Sequence, residues 1–296
     1  MIKILVTGAG GQLGLEFAAL VKDYPQFEFH FYTRHDLDIL DEKALGIIAD
    51  EINPDYVVNC AAYTAVDKAE VEKSLCYNIN THACRSLCNV FGDRNTKIVH
   101  YSTDYVYHTC LGRPLDEDCP TEPKSEYAKS KLEGEYILRN SQIPALIIRT
   151  SWVFSSFGSN FVKTMLRLSE SKDQISVVYD QIGTPTFTYD LAIATLSIIE
   201  KTHAAEGGLK LFNDVYNYSN EGVTSWYDFA TFIMKMNYKK TKVLPITSDQ
   251  YPTLAKRPVW SLLSKEKIKN NFAIDIPHWH DALDRCFKQM NTSGSN

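Results

Sequence analysis

Apolar residues in this chain arrive in two rhythms, short continuous runs and stretches spaced three or four apart, and through the first half the two alternate. Ile2-Lys3-Ile4-Leu5-Val6-Thr7 is a buried-strand run, and Leu13, Phe17, Leu20 and Val21 follow at helical spacing. The same pattern predicts a strand over 27–32, a helix over 41–51, a strand over 55–60 and a long helix over 70–91. A strand over 97–102, a helix over 126–140 and a strand over 145–153 complete the series. Strands separated by helices pair in parallel through right-handed crossovers, so the expected fold class is α/β with a doubly wound parallel sheet.

After Trp152 the rhythm loosens. A helix over 160–169, a strand over 175–179, a turn at Gly183-Thr184-Pro185-Thr186, a helix over 189–202 and a strand over 215–219 are expected, then a further helical stretch over 224–236. The change of rhythm suggests a large unit, residues 1–150 joined by about 187–220, and a smaller unit from 151–186 and 221–296. The small polar residues of 291–296 read as a frayed tail.

Composition narrows the function. The 296 residues are 44% hydrophobic and 23% charged, the range of a globular chain able to bury a sizeable core. Thirty-one Lys plus Arg against 36 Asp plus Glu leave a net charge of -5, which argues against nucleic acid as partner. No apolar run approaches the roughly 18 residues that cross a bilayer, and the first strand runs into a Gly-rich turn with no leader-like segment. No membrane partner and a cytoplasmic location are therefore expected. Cys60, Cys76, Cys84, Cys88, Cys110, Cys119 and Cys286 show no CxxC spacing, so neither a disulfide framework nor a metal site is expected. Cys84, Cys88 and His82 read as helix packing, and His278 with His280 supplies too few ligands to close a site.

The chemistry concentrates at strand ends. Between the first strand and helix lies Thr7-Gly8-Ala9-Gly10-Gly11-Gln12-Leu13-Gly14, where Gly8, Gly11 and Gly14 permit a tight turn and bring a helix N-terminus to a pyrophosphate. The second strand ends Tyr32-Thr33-Arg34 without a carboxylate before Asp36. A basic residue there accommodates a 2'-phosphate, so NADPH is expected over NADH, which stays an alternative. Asp38 and Ile39 are placed to flank the adenine, although Asp38 can equally serve as a cap. Tyr127 and Lys131 are four apart on a predicted helix and share a face. An ammonium beside a phenol favours phenolate and would lower its pKa from near 10, making Tyr127 a candidate for proton exchange with a carbonyl oxygen. Ser102, Thr103 and Asp104 close the fourth strand, where hydroxyls face a ligand crevice.

These residues resemble the extended short-chain dehydrogenase/reductases, a Rossmann-type group marked by TGxxGxxG, a Ser/Thr ending the fourth strand, and YxxxK. Longer strings narrow the resemblance: 59–70 (NCAAYTAVDKAE), 100–107 (HYSTDYVY), 149–154 (RTSWVF), 160–166 (NFVKTML), 180–186 (DQIGTPT) and Arg257-Pro258. Together they are similar to the dTDP-4-dehydrorhamnose reductase family from residue 2 to about residue 285. The resemblance implies a dinucleotide-binding larger unit and a substrate-binding smaller one. It also implies reduction of the C4 ketone of dTDP-4-dehydro-6-deoxy-L-mannose by hydride from NAD(P)H.

Carried over position by position, the resemblance makes Tyr127 the proton donor. Lys131 holds the nicotinamide ribose and tunes the tyrosine, and Thr103 hydrogen-bonds the carbonyl. Gly8, Gly10, Gly11, Gln12, Leu13, Gly14, Ala61, Ala62 and Tyr63 would line the cofactor. Thr64, Val66, Asp104, Trp152, Asn160 and Arg257 would meet the nucleotide sugar, Arg257 at its diphosphate. Some family members dimerise through magnesium held by carboxylates. Glu16 matches the first such position, but Tyr189 stands at the second, and a phenol is a poor ligand for that cation. The expectation is a monomer or a metal-independent homodimer. Two alternatives stay open: an epimerase or dehydratase of the same superfamily, and an NADP-binding regulatory subunit without turnover.

Overall fold

The structure, a computed structural model, describes residues 1–108, 112–203 and 205–293. Cys110 and residues 294–296 of the expected tail lie outside the described residues. The first half follows the alternation read from the sequence: β1 (Ile2–Thr7), α1 (Gln12–Leu20), β2 (Phe27–Tyr32), α2 (Glu42–Ile52) and β3 (Tyr56–Asn59). The long helix expected over 70–91 is instead interrupted. A short α3 (Val66–Ala69) precedes α4 (Lys73–Tyr77), and a π-helical turn at Asn78–His82 leads into α5 (Ala83–Phe91). Then come β4 (Lys97–Thr103), α6 (Glu126–Arg139) and β5 (Ala145–Thr150). The strand expected to reach residue 153 stops at Thr150 because Trp152 takes φ 49°, a left-handed conformation that breaks the extended run.

The second half adds β6 (Val153–Phe154), α7 (Phe161–Ser169), β7 (Gln174–Val178), β8 (Ile182–Gly183), β9 (Thr186–Phe187) and α8 (Thr188–His203). After these come α9 (Gly208–Phe212), β10 (Val215–Tyr218), β11 (Thr224–Ser225), α10 (Trp226–Met236), β12 (Lys242–Ile246), α11 (Glu266–Phe272) and α12 (Trp279–Ser293). The segment read as a turn at 183–186 is flanked by pairing residues: β8 pairs antiparallel with β11, and β9 pairs parallel with β6. Pairs this short have too few residues to show a period of two. The tail also differs from expectation, since α12 carries 291–293 as helix.

Six parallel strands form the central sheet in the order β10-β5-β4-β3-β1-β2. Alternate residues feed opposite cores, as the strand period requires. Ile4, Val6, Tyr56, Val58, Val99, Tyr101, Leu146 and Ile148 pack with Phe17 of α1 and with Leu191 and Ile198 of α8. Leu5, Val57, Ile98 and Ile147 pack with Leu45 of α2, Leu87 of α5 and Leu138 of α6 on the other face. A separate apolar cluster joins α7, β7, α10 and α12 through Phe154, Met165, Phe229, Ile233 and Leu283. Ile268 and Phe272 of α11 pack instead into the sheet's own core. The chain runs outward from β1 to β2 and then crosses back to β3 on the other side of β1, so the winding reverses between β1 and β3, where sheets of this kind place a ligand crevice above the carboxyl ends.

Candidate active site

Two glycines show how closely the turn after β1 is built. Gly8 has φ 65°, and a Cβ there would meet Ala61 N at 2.5 Å, so the turn touches the loop leaving β3. A Cβ on Gly14 would meet Ala9 Cα at 2.5 Å, so α1 starts directly against the turn. Gly11 occupies the N-cap of α1 with no side chain capping it, which leaves the first N–H groups of a nine-residue helix directed at the crevice. Gly10 has room for a side chain, and Leu13 packs against the core. These features fit a dinucleotide pyrophosphate.

At the end of β2, Asp36 is bound to Thr33 through both the Thr33 N–H and hydroxyl, which hold its carboxyl below its usual range. Arg34 is exposed in the same turn and makes no ion pair among the described residues. Asp38 accepts from Leu40 N–H in a local turn, Asp41 caps α2, and Ile39 is buried. The loop after β3 places Ala61 half-buried and Ala62 exposed at the glycine turn. Tyr63 is gripped by Asn80, whose amide takes the Tyr63 N–H at 2.9 Å and donates to its carbonyl at 3.1 Å. The Tyr63 hydroxyl donates to Glu72 at 2.6 Å. Asn80 was not singled out from the sequence; the π-helical turn aims it inward, where it is fully buried, and nothing local in the sequence marks that.

Thr103, Asp104 and Tyr127 meet at the end of β4. The Thr103 hydroxyl donates to Asp104 Oδ1 at 3.1 Å and accepts from Tyr105 N–H at 3.2 Å. The Tyr127 phenol lies near enough for Thr103 to offset part of the rise in its pKa. Tyr105 packs edge-on against Tyr127 at 5.9 Å. Asp104 is 2% exposed, and burial pushes its carboxyl up to about 7.

One expectation fails here. The Tyr127 phenol is pushed up, by burial first and then by Asp104, and Lys131 does not lower it. Lys131 is buried beneath the end of β4, with Nζ 3.0 Å from His100 Nε2, so its amino group is engaged by the imidazole rather than by the phenol. Residues four apart share a helix face, but the direction of a long side chain is settled by its neighbours.

The other expected residues spread wider. Trp152 is half-buried in its left-handed conformation and stacks on Trp226 at 3.8 Å, an arrangement in which neighbours hold a strained backbone in place. Asn160 caps α7 and donates to Gln12 Oε1 at 3.0 Å, tying the second half to the glycine turn. Thr64 is exposed, and Val66 opens α3. Arg257 forms a two-pronged pair with Asp67, at 3.2 and 2.5 Å, and is one wall of a cavity of about 1030 Å³. His108, Phe161, Gln181, Trp226 and Lys256 also line that cavity, while Thr64, Val66, Thr103, Asp104, Trp152 and Asn160 do not. Trp226 and Asp67 were missed from the sequence because a lone Trp after a helix cap and an acid on a short helix both look ordinary.

Among the described residues no group of three or more His, Cys, Asp or Glu side chains is arranged to hold a metal ion. Glu16 is fully buried, accepting from Ser155 at 2.7 Å and Thr188 at 2.9 Å. No helix among the described residues is long and apolar enough to cross a membrane.

The sequence matches the family described as RmlD substrate binding domain over residues 2–292. The chain belongs to this family. It is 39% identical over 289 residues to the dTDP-4-dehydrorhamnose reductase of Aggregatibacter actinomycetemcomitans, covering 96% of this chain and 97% of that one. Two solved structures are similar at a TM-score of 0.91. One is a dTDP-4-dehydrorhamnose reductase from Clostridium acetobutylicum, 35% identical, covering 98% of this chain and 100% of that one. The other, from Bacillus anthracis and in complex with NADP, is 33% identical with the same coverage. Membership of the RmlD family agrees with the parallel sheet, the glycine turn and the hydroxyl cluster at the end of β4.

Proposed function

We propose that this protein reduces the C4 ketone of dTDP-4-dehydro-6-deoxy-L-mannose to the alcohol of dTDP-L-rhamnose, with NADPH as preferred hydride donor and NADH as the alternative. The observation that carries this reading is the meeting of Thr103, Asp104 and Tyr127 at the end of β4 in a chain similar along its whole length to reductases of that name. The glycine turn, with Gln12, Arg34, Asp38, Ile39, Ala61, Ala62 and Tyr63 around it, would hold the dinucleotide. A bound nicotinamide dinucleotide supplies the hydride. The larger unit, 1–150 with about 187–220, is read as the cofactor half, and 151–186 with 221–296 as the substrate half.

In this reading the raised pKa of Tyr127 suits reduction, because the phenol stays protonated at neutral pH and ready to give its proton to the C4 oxygen as negative charge builds there. Thr103 steadies the same oxygen, then the tyrosinate, which regains a proton from solvent. Arg257 is the candidate for the substrate diphosphate, and its fork already grips a carboxylate, that of Asp67. Thr64, Val66, Asp104, Trp152 and Asn160 remain candidates for the sugar and nucleotide.

We read the protein as cytoplasmic, where thiols such as Cys60 and Cys88 persist, and as a monomer or a homodimer formed without metal. The burial of Glu16 and the phenol at Tyr189 support the latter, and a shift to monomer on adding EDTA in a sedimentation run would overturn it. The test of function is loss of NADPH absorbance on adding the 4-keto nucleotide sugar, with the C4 configuration of the product read by NMR. A flat trace with confirmed cofactor binding would refute the reductase and favour a regulatory subunit.

A further inference from the structure

Beneath the end of β4, buried polar groups run from the glycine turn to α6. Asn59, His100 and Lys131 are 2%, 1% and 2% exposed. Asn59 Oδ1 accepts from the Thr7 hydroxyl at 2.8 Å and from the Ala61 N–H at 3.2 Å. A backbone N–H can only donate, so the amide oxygen belongs on that side, and the amide nitrogen faces His100 Nδ1 at 3.2 Å. Nδ1 therefore accepts, and a neutral imidazole accepting at Nδ1 carries its proton on Nε2. That nitrogen lies 3.0 Å from Lys131 Nζ. An ammonium has three N–H groups and no lone pair, so it cannot accept the Nε2 proton; an amine can.

The surroundings agree. The titratable groups facing Lys131 are His100 on β4, Cys76 on α4, Cys84 on α5 and Glu135 on its own helix. Burial pushes both thiols up, Cys84 to about 12, so neither offers a thiolate at neutral pH. Glu135 gives its oxygens to Ser102 and Arg149. Burial lowers Lys131 against the opposing pull of the Glu135 carboxylate, and burial holds His100 neutral.

We propose that His100 holds Lys131 as an uncharged amine in the free protein, and that binding of a nicotinamide dinucleotide draws the side chain off Nε2 and loads it with a proton from solvent. The step forms one N–H bond on Nζ, removes one proton from the buffer and leaves His100 unchanged. The cation that can steady a tyrosinate at Tyr127 is then made only when the cofactor is in place, and His100 is a positioning residue. The proposal rests on the cofactor reading given above, and it makes dinucleotide affinity fall as pH rises, because the complex holds the extra proton.

Titration calorimetry of NADPH into the protein counts this proton without turnover. It is run at mildly alkaline pH, where the cofactor's phosphates are fully ionised, in two buffers of different ionisation heat. Wild type is expected to take up about one proton per dinucleotide and Lys131→Met none. His100→Gln, whose side-chain oxygen can accept from an ammonium, is expected to take up less than about a third of the wild-type value. Equal heats in the two buffers for wild type, or an uptake that survives in Lys131→Met or is undiminished in His100→Gln, overturns the proposal. Absence of any NADPH binding refutes the cofactor reading instead.

Discussion

Helix α6 carries Tyr127, Lys131 and Glu135 one turn apart on a single stripe, and its two buried charges are treated in opposite ways. Glu135, wholly buried, meets Arg149 through two prongs, at 3.0 and 2.7 Å, and Arg149 in turn donates to the Tyr107 hydroxyl at 2.7 Å. One turn earlier, Lys131 is as deeply buried and is directly bonded to no carboxylate, only to an imidazole nitrogen, with Glu135 committed to Arg149 and Ser102. A buried pair whose hydrogen bonds are complete fixes where α6, β4 and β5 sit and has no reason to change state. A buried cation without a counter-charge is unstable as an ion, which leaves its protonation open to whatever binds nearby.

Removing the acid at the open end of the stripe should have the largest effect. Tyr127→Phe is expected to lower turnover on the order of 10²- to 10⁴-fold with cofactor affinity nearly unchanged, and steady-state kinetics showing near-full activity would remove Tyr127 from the acid role. At the closed end, Glu135→Leu strands the Arg149 charge and should cost about 3–5 kcal/mol in denaturant unfolding. The double change Glu135→Leu with Arg149→Met should recover most of it; equal losses in the single and double variants would mean that the pair is not the cause.

Asp104, beside the open end, gives a smaller and pH-dependent effect. Its carboxyl binds a proton more readily folded than unfolded, so its contribution is most favourable below the unfolded pKa of 3.8 and is lost as pH rises through about 7. Asp104→Asn should therefore gain stability over wild type on the order of a few kcal/mol at mildly alkaline pH, and little at acid pH. A gain independent of pH, read by thermal unfolding, would reject this account.

The exposed cation Arg34 provides a third case. Arg34→Asp should move the NADPH to NADH ratio of kcat/KM on the order of tenfold towards NADH without altering stability, and an unchanged ratio would make Arg34 an ordinary surface residue. The smallest loss of stability is the one that most sharpens the contrast. Lys131→Met should cost only about 1–3 kcal/mol, since the buried His100 Nε2–H loses its acceptor but no charge is stranded. A loss as large as that of Glu135→Leu would show that the two charges are alike.

The pattern of apolar residues was enough to read β1, β2, β3, β4 and α6 to within a residue or two, because strands buried on both faces are continuous apolar runs bounded by turn residues. It misread the stretch from 70 to 91 as one unbroken helix, since a π-helical turn at Asn78–His82 keeps near-helical spacing while rotating Asn80 inward. His100 was legible in part: a histidine inside Ile98-Val99-His100-Tyr101 interrupts an apolar run, but nothing local says which side chain it meets 31 positions later.

Sequence alone determined the α/β class, the glycine turn and the spacing of Tyr127 and Lys131, because each follows from residues within a few positions of one another. Only the tertiary structure decided where the Lys131 amine points, that Arg257 grips Asp67, and that Trp152 stacks on Trp226. Those outcomes depend on burial and on partners brought together from distant strands and helices, and burial changes the charge a side chain can carry by more than any neighbour in the sequence does.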